Sequence, residues 1–372
     1  MPVVAQSAPQ PRSRVLPATM QAAVYRGKND VRLETVPVPE IRAGELLLRV
    51  HTCGICGTDL KKISTGSHSA PRIFGHEIAG QVVAVGDGVR EYKLGDRVMA
   101  FHHVPCGECF YCQRKVFAQC PVYKKVGITA GFEPSGGGFA EYVRVMPWIV
   151  ERGVIPIPHS VSYEQAAFIE PVNTCLKAIE EMWLERGEVV LVIGQGPIGI
   201  LLGILASQKG ARVIGSDMFA PRLGAARQFG IKESIDASKE NIQQRILALT
   251  DGRGADAVIL AVGSNALIQP AINAARPGGR VLLFAQTQHG EAIFDPAAVC
   301  VDEKTLLGSY SASVELQQQS ADFVFSGAVN FSKLISHRFP LSQAVEALHL
   351  ATHPQADSLK IVVSPGLGWE AA

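Results

Sequence analysis

Four thiols fall within 15 residues, at Cys106, Cys109, Cys112 and Cys120, with the spacing C-x2-C-x2-C-x7-C. Two-residue gaps let a loop wrap around one tetrahedral ion, and four thiolates close its coordination shell. Such an ion keeps no open position for water or substrate. The expectation is therefore a structural zinc. An iron–sulfur cluster is the competing chemistry, because its C-x2-C-x2-C runs look alike. Four unligated cysteines are a poor account of this density.

A second constellation is built for reactivity. It comprises Cys53-Gly-Ile-Cys56-Gly-Thr58-Asp59 and Gly75-His76-Glu77. A catalytic zinc needs about three protein ligands and an open position for water or substrate. Cys56, His76 and a carboxylate would provide them. The carboxylate is Glu77 or Glu170, the latter in Phe168-Ile-Glu170-Pro171. Spacing alone does not pair such distant residues. Taken singly, His76 reads as a loop histidine and Glu170 as a solvated helix residue.

A third segment could hold a dinucleotide. Val190-Leu-Val-Ile-Gly194-Gln-Gly196-Pro197-Ile198-Gly199 is a Gly-x-Gly-x-x-Gly that ends a strand and opens a helix. Gly194 permits the tight turn, Gly196 lets a pyrophosphate reach the backbone, and Gly199 lets helix and strand pack closely. The helix N-terminus offers free N–H groups to the phosphates. Asp217 follows at the end of the next strand. Its carboxylate can bind both ribose hydroxyls and repel a 2′-phosphate, which favours NAD over NADP. A helix-capping Asp is the plainer alternative. Arg222 could lie beside the adenine or relax the exclusion of NADP.

These residues must be carried by two kinds of element. From Met20 to about Val145, short apolar runs are bounded by Gly, Asp or Pro: Gln21–Tyr25, Glu45–Val50, Ala79–Val85 and Arg97–Ala100. They predict a small, mostly antiparallel β domain. A helix is expected to begin near Ser162, with Glu164 and Gln165 in its first turn. From Glu188 strands and helices alternate: Val189–Ile193, Ile198–Gln208, Arg212–Ser216, Pro221–Phe229, Asp256–Ala261 and Arg280–Phe284, the last after the turn Pro277-Gly-Gly279. That rhythm predicts a doubly wound parallel sheet, an α/β (Rossmann) fold. Near the end, Ser358–Val363 could return a strand to the first domain.

Composition narrows the function. A length of 372 residues suggests two domains. Lys and Arg total 35 against 34 Asp and Glu, so no electrostatic footprint favours nucleic acid or an anionic membrane. A small uncharged or locally recognised substrate fits better. Of 8 cysteines, six crowd between positions 53 and 120, unlike a secreted disulfide scaffold. Reduced metal-binding thiolates imply a reducing compartment, and the cytoplasm is expected. The apolar stretch Val189–Ala206 is broken by Gly194, Gly196, Pro197 and Gly199, which argues against a membrane span. Residues 1–19 lack the apolar run of a secretory signal and read as a disordered extension. A start upstream of a true one at Met20, or a transit peptide, are other readings.

Several motifs together carry a resemblance: Cys56-Gly-Thr-Asp59, Gly75-His-Glu77, Gly95-Asp-Arg-Val98, the four cysteines, Gly138-Phe-Ala-Glu-Tyr142, Glu170-Pro171 and the Gly194 turn. From Met20 to Pro365 the chain resembles the zinc-containing medium-chain alcohol dehydrogenases, most of all their sorbitol (polyol) and threonine dehydrogenase branch. The resemblance implies a GroES-like catalytic domain over 20–172 and 311–372, with its structural zinc loop at 106–120. It also implies an NAD-binding Rossmann domain over 173–310. Zinc ligation falls to Cys56, His76 and Glu77, with Glu170 ligating directly or through water. Thr58 would relay the substrate proton, and Asp59 would fix a ligating imidazole. Cys53 lies outside the pattern, as a buried strand-end thiol. The implied reaction is hydride transfer between a secondary, polyol-like alcohol and NAD, with zinc lowering the pKa of the alcohol. A homodimer or homotetramer is implied as well, with Arg280–Phe284 and the segment near Leu306 pairing sheets between subunits.

The chain also departs from that branch. Relatives commonly carry a His two residues after the Thr-Asp pair, where this chain has Lys61 and Lys62. An Arg that polyol enzymes tend to carry before an aromatic is here Ser309, before Tyr310. The lysines would suit an acidic or phosphorylated substrate, although a solvated loop explains them more simply. L-threonine 3-dehydrogenase and a simple alcohol dehydrogenase are the alternative enzymes. A zinc-free quinone reductase would have no use for the clustered cysteines. A zinc-stabilised nucleotide-binding module with a silent site is the non-enzymatic alternative.

Overall fold

The computed structural model describes residues 15–123, 137–285 and 289–365. Its first part is strand-rich. In chain order it holds β1 (Thr19–Gly27), β2 (Asp30–Pro37), β3 (Leu46–Gly54), helix α1 (Gly57–Thr65), β4 (Arg72–Ile73), β5 (Glu77–Val85), β6 (Arg97–Ala100), β7 (Tyr142–Val145), α2 (Pro147–Arg152) and β8 (Val154–Pro156). Two helices follow, α3 (Tyr163–Ala166) and α4 (Ile169–Glu180). The Ser162 hydroxyl accepts from the Gln165 amide at 3.1 Å and so starts α3 at the expected place.

Strand and helix then alternate through β9 (Val189–Ile193), α5 (Pro197–Gln208), β10 (Arg212–Asp217), α6 (Ala220–Gln228), β11 (Glu233–Asp236), α7 (Ile242–Leu249), β12 (Ala255–Leu260), α8 (Ile268–Ala274), β13 (Ala275–Leu283), α9 (Ala297–Cys300) and β14 (Thr305–Gly308). The chain closes with α10 (Gln317–Phe325), β15 (Ile335–Pro340), α11 (Ala344–Thr352) and β16 (Lys360–Ser364).

The second set forms one parallel six-stranded sheet in the order β11-β10-β9-β12-β13-β14. This is the doubly wound arrangement, with its switch point between β9 and β12. Every residue of β9 is buried, as a strand covered by helices on both faces requires. The first set forms a mostly antiparallel seven-stranded sheet, β15-β16-β3-β5-β6-β8 with β7 also on β3, beside a three-stranded sheet β2-β1-β4. The chain's last described strand does return to the first sheet: β16 pairs antiparallel with β3 through Val362–Gly54 and Val363–Cys53. One apolar core runs from Ala79, Met99 and Phe101 through Phe168 and Val172 of the α3–α4 region to Val190 and Val192. The two sheets are thereby packed through α4.

Two expectations need correction. Residues 1–14 lie outside the described chain, but the extension is not structureless up to residue 19. Leu16 packs on the Leu47, Val83 and Ala84 cluster, the Ala18 carbonyl accepts from the Val38 amide at 3.1 Å, and Thr19 opens β1. Pro277-Gly-Gly279 does not precede its strand. It lies inside β13, where the pairing with β12 slips between Ala255 and Ala257. No helix among the described residues is long and apolar enough to cross a membrane.

Candidate active site

Three strand registers bring the reactive residues together. Gly54 pairs with Glu77, Ile78 with Ala100, and Val362 with Gly54. Continuing these registers past the strand ends sets His76 across from His102 and Lys360 beside Cys56. Cys56 itself is the N-cap of α1, and its Sγ accepts from the Thr58 amide at 3.5 Å. The helix thus turns its positive end toward the thiol, which suits a thiolate ligand.

Asp59, fully buried on α1, ties the parts together. Its Oδ1 lies 3.1 Å from His76 Nδ1 and accepts from the Gly75 amide, while Oδ2 accepts from the Cys56 amide at 3.4 Å. Burial opposes ionisation of Asp59, but the neighbouring His76 holds its carboxyl below the usual range. Burial likewise opposes the cationic form of His76, and Asp59 outweighs it, so the pKa of the imidazole rises. With Nδ1 occupied, Nε2 is the nitrogen left for a metal.

The Cys56, His76 and Glu77 ligand atoms all lie within 4.8 Å of one another. Glu77 is held from behind. Its carboxylate accepts from Lys360 Nζ at 2.6 Å, and Lys360 also donates to the Ile55 carbonyl at 3.1 Å. A Cβ on Gly54 would come within 2.0 Å of this carboxylate, so only glycine fits there. Glu170, in the first turn of α4, completes a second group with His76 and His102, again within 4.8 Å. His102 Nδ1 stands 3.3 Å from the Glu170 carboxylate. Burial pushes the Glu170 carboxyl up to about 7, against the pull of His76. Rings in contact run outward from His76, tilted against His102, then edge-on to His103, which stacks on Tyr123, whose hydroxyl meets Ser311 Oγ at 3.0 Å.

Cys53 is a buried thiol on β3 beside the site, as expected. Sequence reasoning missed Lys360, His102 and His103. A lysine opening an otherwise apolar strand and a His-His pair just ahead of Cys106 were the available signals.

The four-cysteine loop also closes on itself. Cys106 and Cys112 sulfurs are 3.8 Å apart, Cys109 and Cys112 3.5 Å, and Cys120 and Cys106 3.6 Å. Tetrahedral zinc–sulfur bonds of about 2.3 Å would set sulfurs about 3.8 Å apart. The donors therefore fit a single ion. They stand too close together to share a multi-iron cluster, in which the thiolates bind separate irons.

At the switch point, a Cβ on Gly199 would approach the Gly194 carbonyl to 1.8 Å, which enforces the tight strand-to-helix turn. A Cβ on Gly196 would enter open space, the cradle a pyrophosphate needs. Pro197 and Ile198 open α5. Asp217 ends β10 nearly buried, its Oδ2 accepting from the Gln195 amide at 2.7 Å and its Oδ1 from the Phe219 amide at 2.9 Å. Each oxygen retains a lone pair for a ribose hydroxyl. Arg222 on α6 lies with its guanidinium 5.0 Å from the Phe219 ring.

A cavity of about 550 Å³ reaches from the metal donors to Ile198, in the first turn of α5. Cys56, Thr58, His76, Glu77 and Glu170 line one wall. Ile198 in the first turn of α5, with Ala261 and Phe284 just past the carboxyl ends of β12 and β13, lines the other. Ser309 and Tyr310 also face it. Lys61 and Lys62 line it as well, from α1, so they do not belong to a solvated loop.

Two family models match the chain: the alcohol dehydrogenase GroES-like domain over residues 42–159 and the zinc-binding dehydrogenase domain over 197–326. Sorbitol dehydrogenase of Bacillus subtilis is 30% identical over 359 residues, covering 95% of this chain and 99% of that protein. D-arabinitol dehydrogenase 1 of Uromyces fabae is 30% identical over 360 residues, covering 95% and 99%. A protein described as a zinc-binding dehydrogenase of Sinorhizobium meliloti, solved bound to NADP, superposes with a TM-score of 0.84 at 28% identity, over 94% of this chain and 100% of that one. The chain belongs to the zinc-containing medium-chain alcohol dehydrogenases, in their polyol branch, and is an oxidoreductase that moves a hydride between an alcohol and a nicotinamide cofactor.

Proposed function

We propose that this enzyme oxidises a secondary hydroxyl of a polyol-like substrate with NAD, using one reactive and one structural zinc per chain. The observation that carries the reading is a cavity lined both by the metal donors and by Ile198, Ala261 and Phe284 beside the dinucleotide turn. A catalytic unit of 20–172 with 311–372 and a dinucleotide-binding unit of 173–310 are supported by the sheets, the parallel six-stranded one being built within the second unit and the other two from the first.

Cys56, His76 and Glu77 would hold the reactive zinc, with Glu170 in reach of the same centre. When bound, zinc supplies Lewis-acid polarisation of the substrate oxygen, and the nicotinamide supplies the hydride acceptor. The protein does the rest. Asp59 fixes the tautomer and aim of His76, Lys360 anchors Glu77, and His102 steadies Glu170. Thr58, half-buried in the cavity wall, accepts the hydroxyl proton and passes it to water or ribose, since Lys61 and Lys62 stand where relatives carry a relay histidine. Ile198, Ala261 and Phe284 keep water from the reacting carbon. Cys106, Cys109, Cys112 and Cys120 would hold the second zinc with no open position.

Asp217 supports NAD over NADP, because a 2′-phosphate would meet a nearly buried carboxylate. Reduced thiols support a reducing compartment such as the cytoplasm, all eight cysteines being free. A homodimer or homotetramer joined along the outer strand β14 is the proposed assembly; contrary to expectation, Arg280–Phe284 cannot share in that pairing, because β13 has both its edges taken, by β12 and β14. The test is Cys56→Ser. It should abolish NAD reduction on polyols, remove one of two zincs by metal analysis, and leave NAD binding in place. A fully active Cys56→Ser enzyme would overturn the assignment.

A further inference from the structure

The cavity has an end that the proposed chemistry does not use. Lys61 and Lys62 enter it from α1, and Ser67, His68 and Arg72 enter it from the segment after that helix. Among the described residues, Glu77 and Glu170 are the only carboxylates that line the cavity. Both sit at the metal end and are already engaged by Lys360 and His102.

The cations are held in place. Lys62 Nζ lies 5.6 Å over the Phe74 ring, whose face pins the ammonium group. Arg72 donates from Nε to the Ser69 carbonyl and from its terminal nitrogen to Ser69 Oγ, both at 3.2 Å. Ser67 Oγ and His68 Nδ1 lie 2.9 Å apart. All three cations are half-buried. Asp59, one turn back from Lys62, is committed to His76 and the Cys56 amide. A neutral polyol offers these cations no opposite charge. A dianion does.

The helix also sets a distance. At about 1.5 Å rise per residue, the backbone at Lys61 and Lys62 lies about 7.5 to 9 Å further along the axis than at Cys56, roughly the span of a five- to six-carbon chain with an oxygen at each end. A substrate with one hydroxyl at the metal donors would therefore carry its far end to the lysines.

We propose that the substrate is a polyol bearing a terminal phosphate monoester, which Lys61, Lys62 and Arg72 receive while a carbinol carbon near the other end is oxidised. This rests on the dehydrogenase reading of the cavity. The redox step is unchanged. The carbinol carbon gives a hydride, two electrons, to the oxidised nicotinamide, the hydroxyl proton leaves, and a C=O bond forms. The phosphate ester stays intact and serves only as a handle.

The test compares erythritol, D-arabinitol and D-glucitol with their terminal phosphates and with D-gluconate, by NAD(P) reduction on the zinc-loaded enzyme. The same compounds are titrated without cofactor, where nothing turns over. At least one phosphate should exceed its parent polyol by at least about tenfold in kcat/KM and in affinity, since charge-assisted contacts to a dianion are strong. Raising the ionic strength should shrink the advantage. Lys61→Gln/Lys62→Gln, which preserves helix propensity, should cut the phosphate-to-parent ratio at least about tenfold, chiefly through KM, and Arg72→Gln should cut it as well. Turnover of the neutral polyols with no phosphate preference would overturn this inference alone. So would an equal gain for D-gluconate, or a ratio untouched by the lysine substitutions. If no alcohol reduces the cofactor, the dehydrogenase reading falls, and equal affinities for phosphates and parents in the titration still refute the handle.

Discussion

Replacing Lys360 tests how the metal end of the cavity is held. Lys360 and Glu77 are both buried, with Nζ donating to Glu77 at 2.6 Å. At an effective dielectric of about 20, unit charges at that separation attract by about 6 kcal/mol, but each ion loses several kcal/mol of hydration on burial. The intact pair is thus close to neutral for stability. Removing one member is not, because an uncompensated buried charge remains, at a cost of about 3 to 5 kcal/mol. Lys360→Met should incur that loss in metal-free protein, and Lys360→Met/Glu77→Gln should recover most of it. The readout is hydrogen exchange of peptides from β3 and β16, which pair next to the ion pair, so no two-state unfolding of the whole chain need be assumed. Zinc should narrow the gap between Lys360→Met and wild type, since a divalent cation ligated by Glu77 replaces the missing charge. The reasoning is refuted if Lys360→Met costs less than about 1 kcal/mol, or if the double variant is no better than the single.

Other outcomes follow from the same geometry. Cys112→Ser should lower bound zinc from two per chain to one and reduce thermal stability; retention of both ions would exclude the four-thiolate site. Asp217→Ala should weaken NAD by about 10- to 100-fold, the worth of one to two charged hydrogen bonds, and NADP much less. Equal losses in cofactor titrations would count against the ribose role. His51 stacks on Tyr163 at 4.1 Å. Burial first, and then Arg49 and Arg97, lower its pKa from the ordinary 6.5 to about 4. Its neutral form is the one folding prefers. Its stabilising contribution is therefore complete above pH 6.5, is lost as pH falls through about 4, and is level below that. After allowance for screening of a partly exposed ring, the loss is about 1 to 2 kcal/mol. Denaturation curves of His51→Phe against wild type should converge by that amount between neutrality and pH 4, and parallel pH profiles would contradict it.

Local periodicity carried most of the fold. β5, β6, β9, β10 and β12 lie within a residue or two of the apolar runs that predicted them, because those runs are bounded by turn-forming residues. The short strands β4 and β8, of two and three residues, have too little length to show a period. β14 shows no alternation that its burial would impose, since it lies at a sheet edge. Pro277-Gly-Gly279 looked like a turn because glycine tolerates one, yet the sheet holds it as a bulged strand.

The site divides differently. The four cysteines are legible because the whole ion fits inside one loop. The reactive centre is not local. Its members sit at positions 56, 76, 102, 170 and 360, and only antiparallel registers bring β3, β5, β6 and β16 to one end of a sheet. Register is a property of pairs of strands, so no window along the chain contains it. The resemblance supplied Cys56, His76, Glu77 and Glu170, since its motifs have those registers built in. Lys360 and His102 lay outside those motifs, and so escaped notice. Lys61 and Lys62 were visible but ambiguous, because a charged pair after a Thr-Asp turn looks the same on a solvated loop as on a helix wall. What separates the two cases is that Cys56 caps the helix that bears them. A single helix therefore presents its N-terminal residue to the metal, Thr58 to the hydroxyl proton and, one turn on, two cations to the far end of the substrate. Any change that shifts α1 should alter metal affinity and substrate preference together.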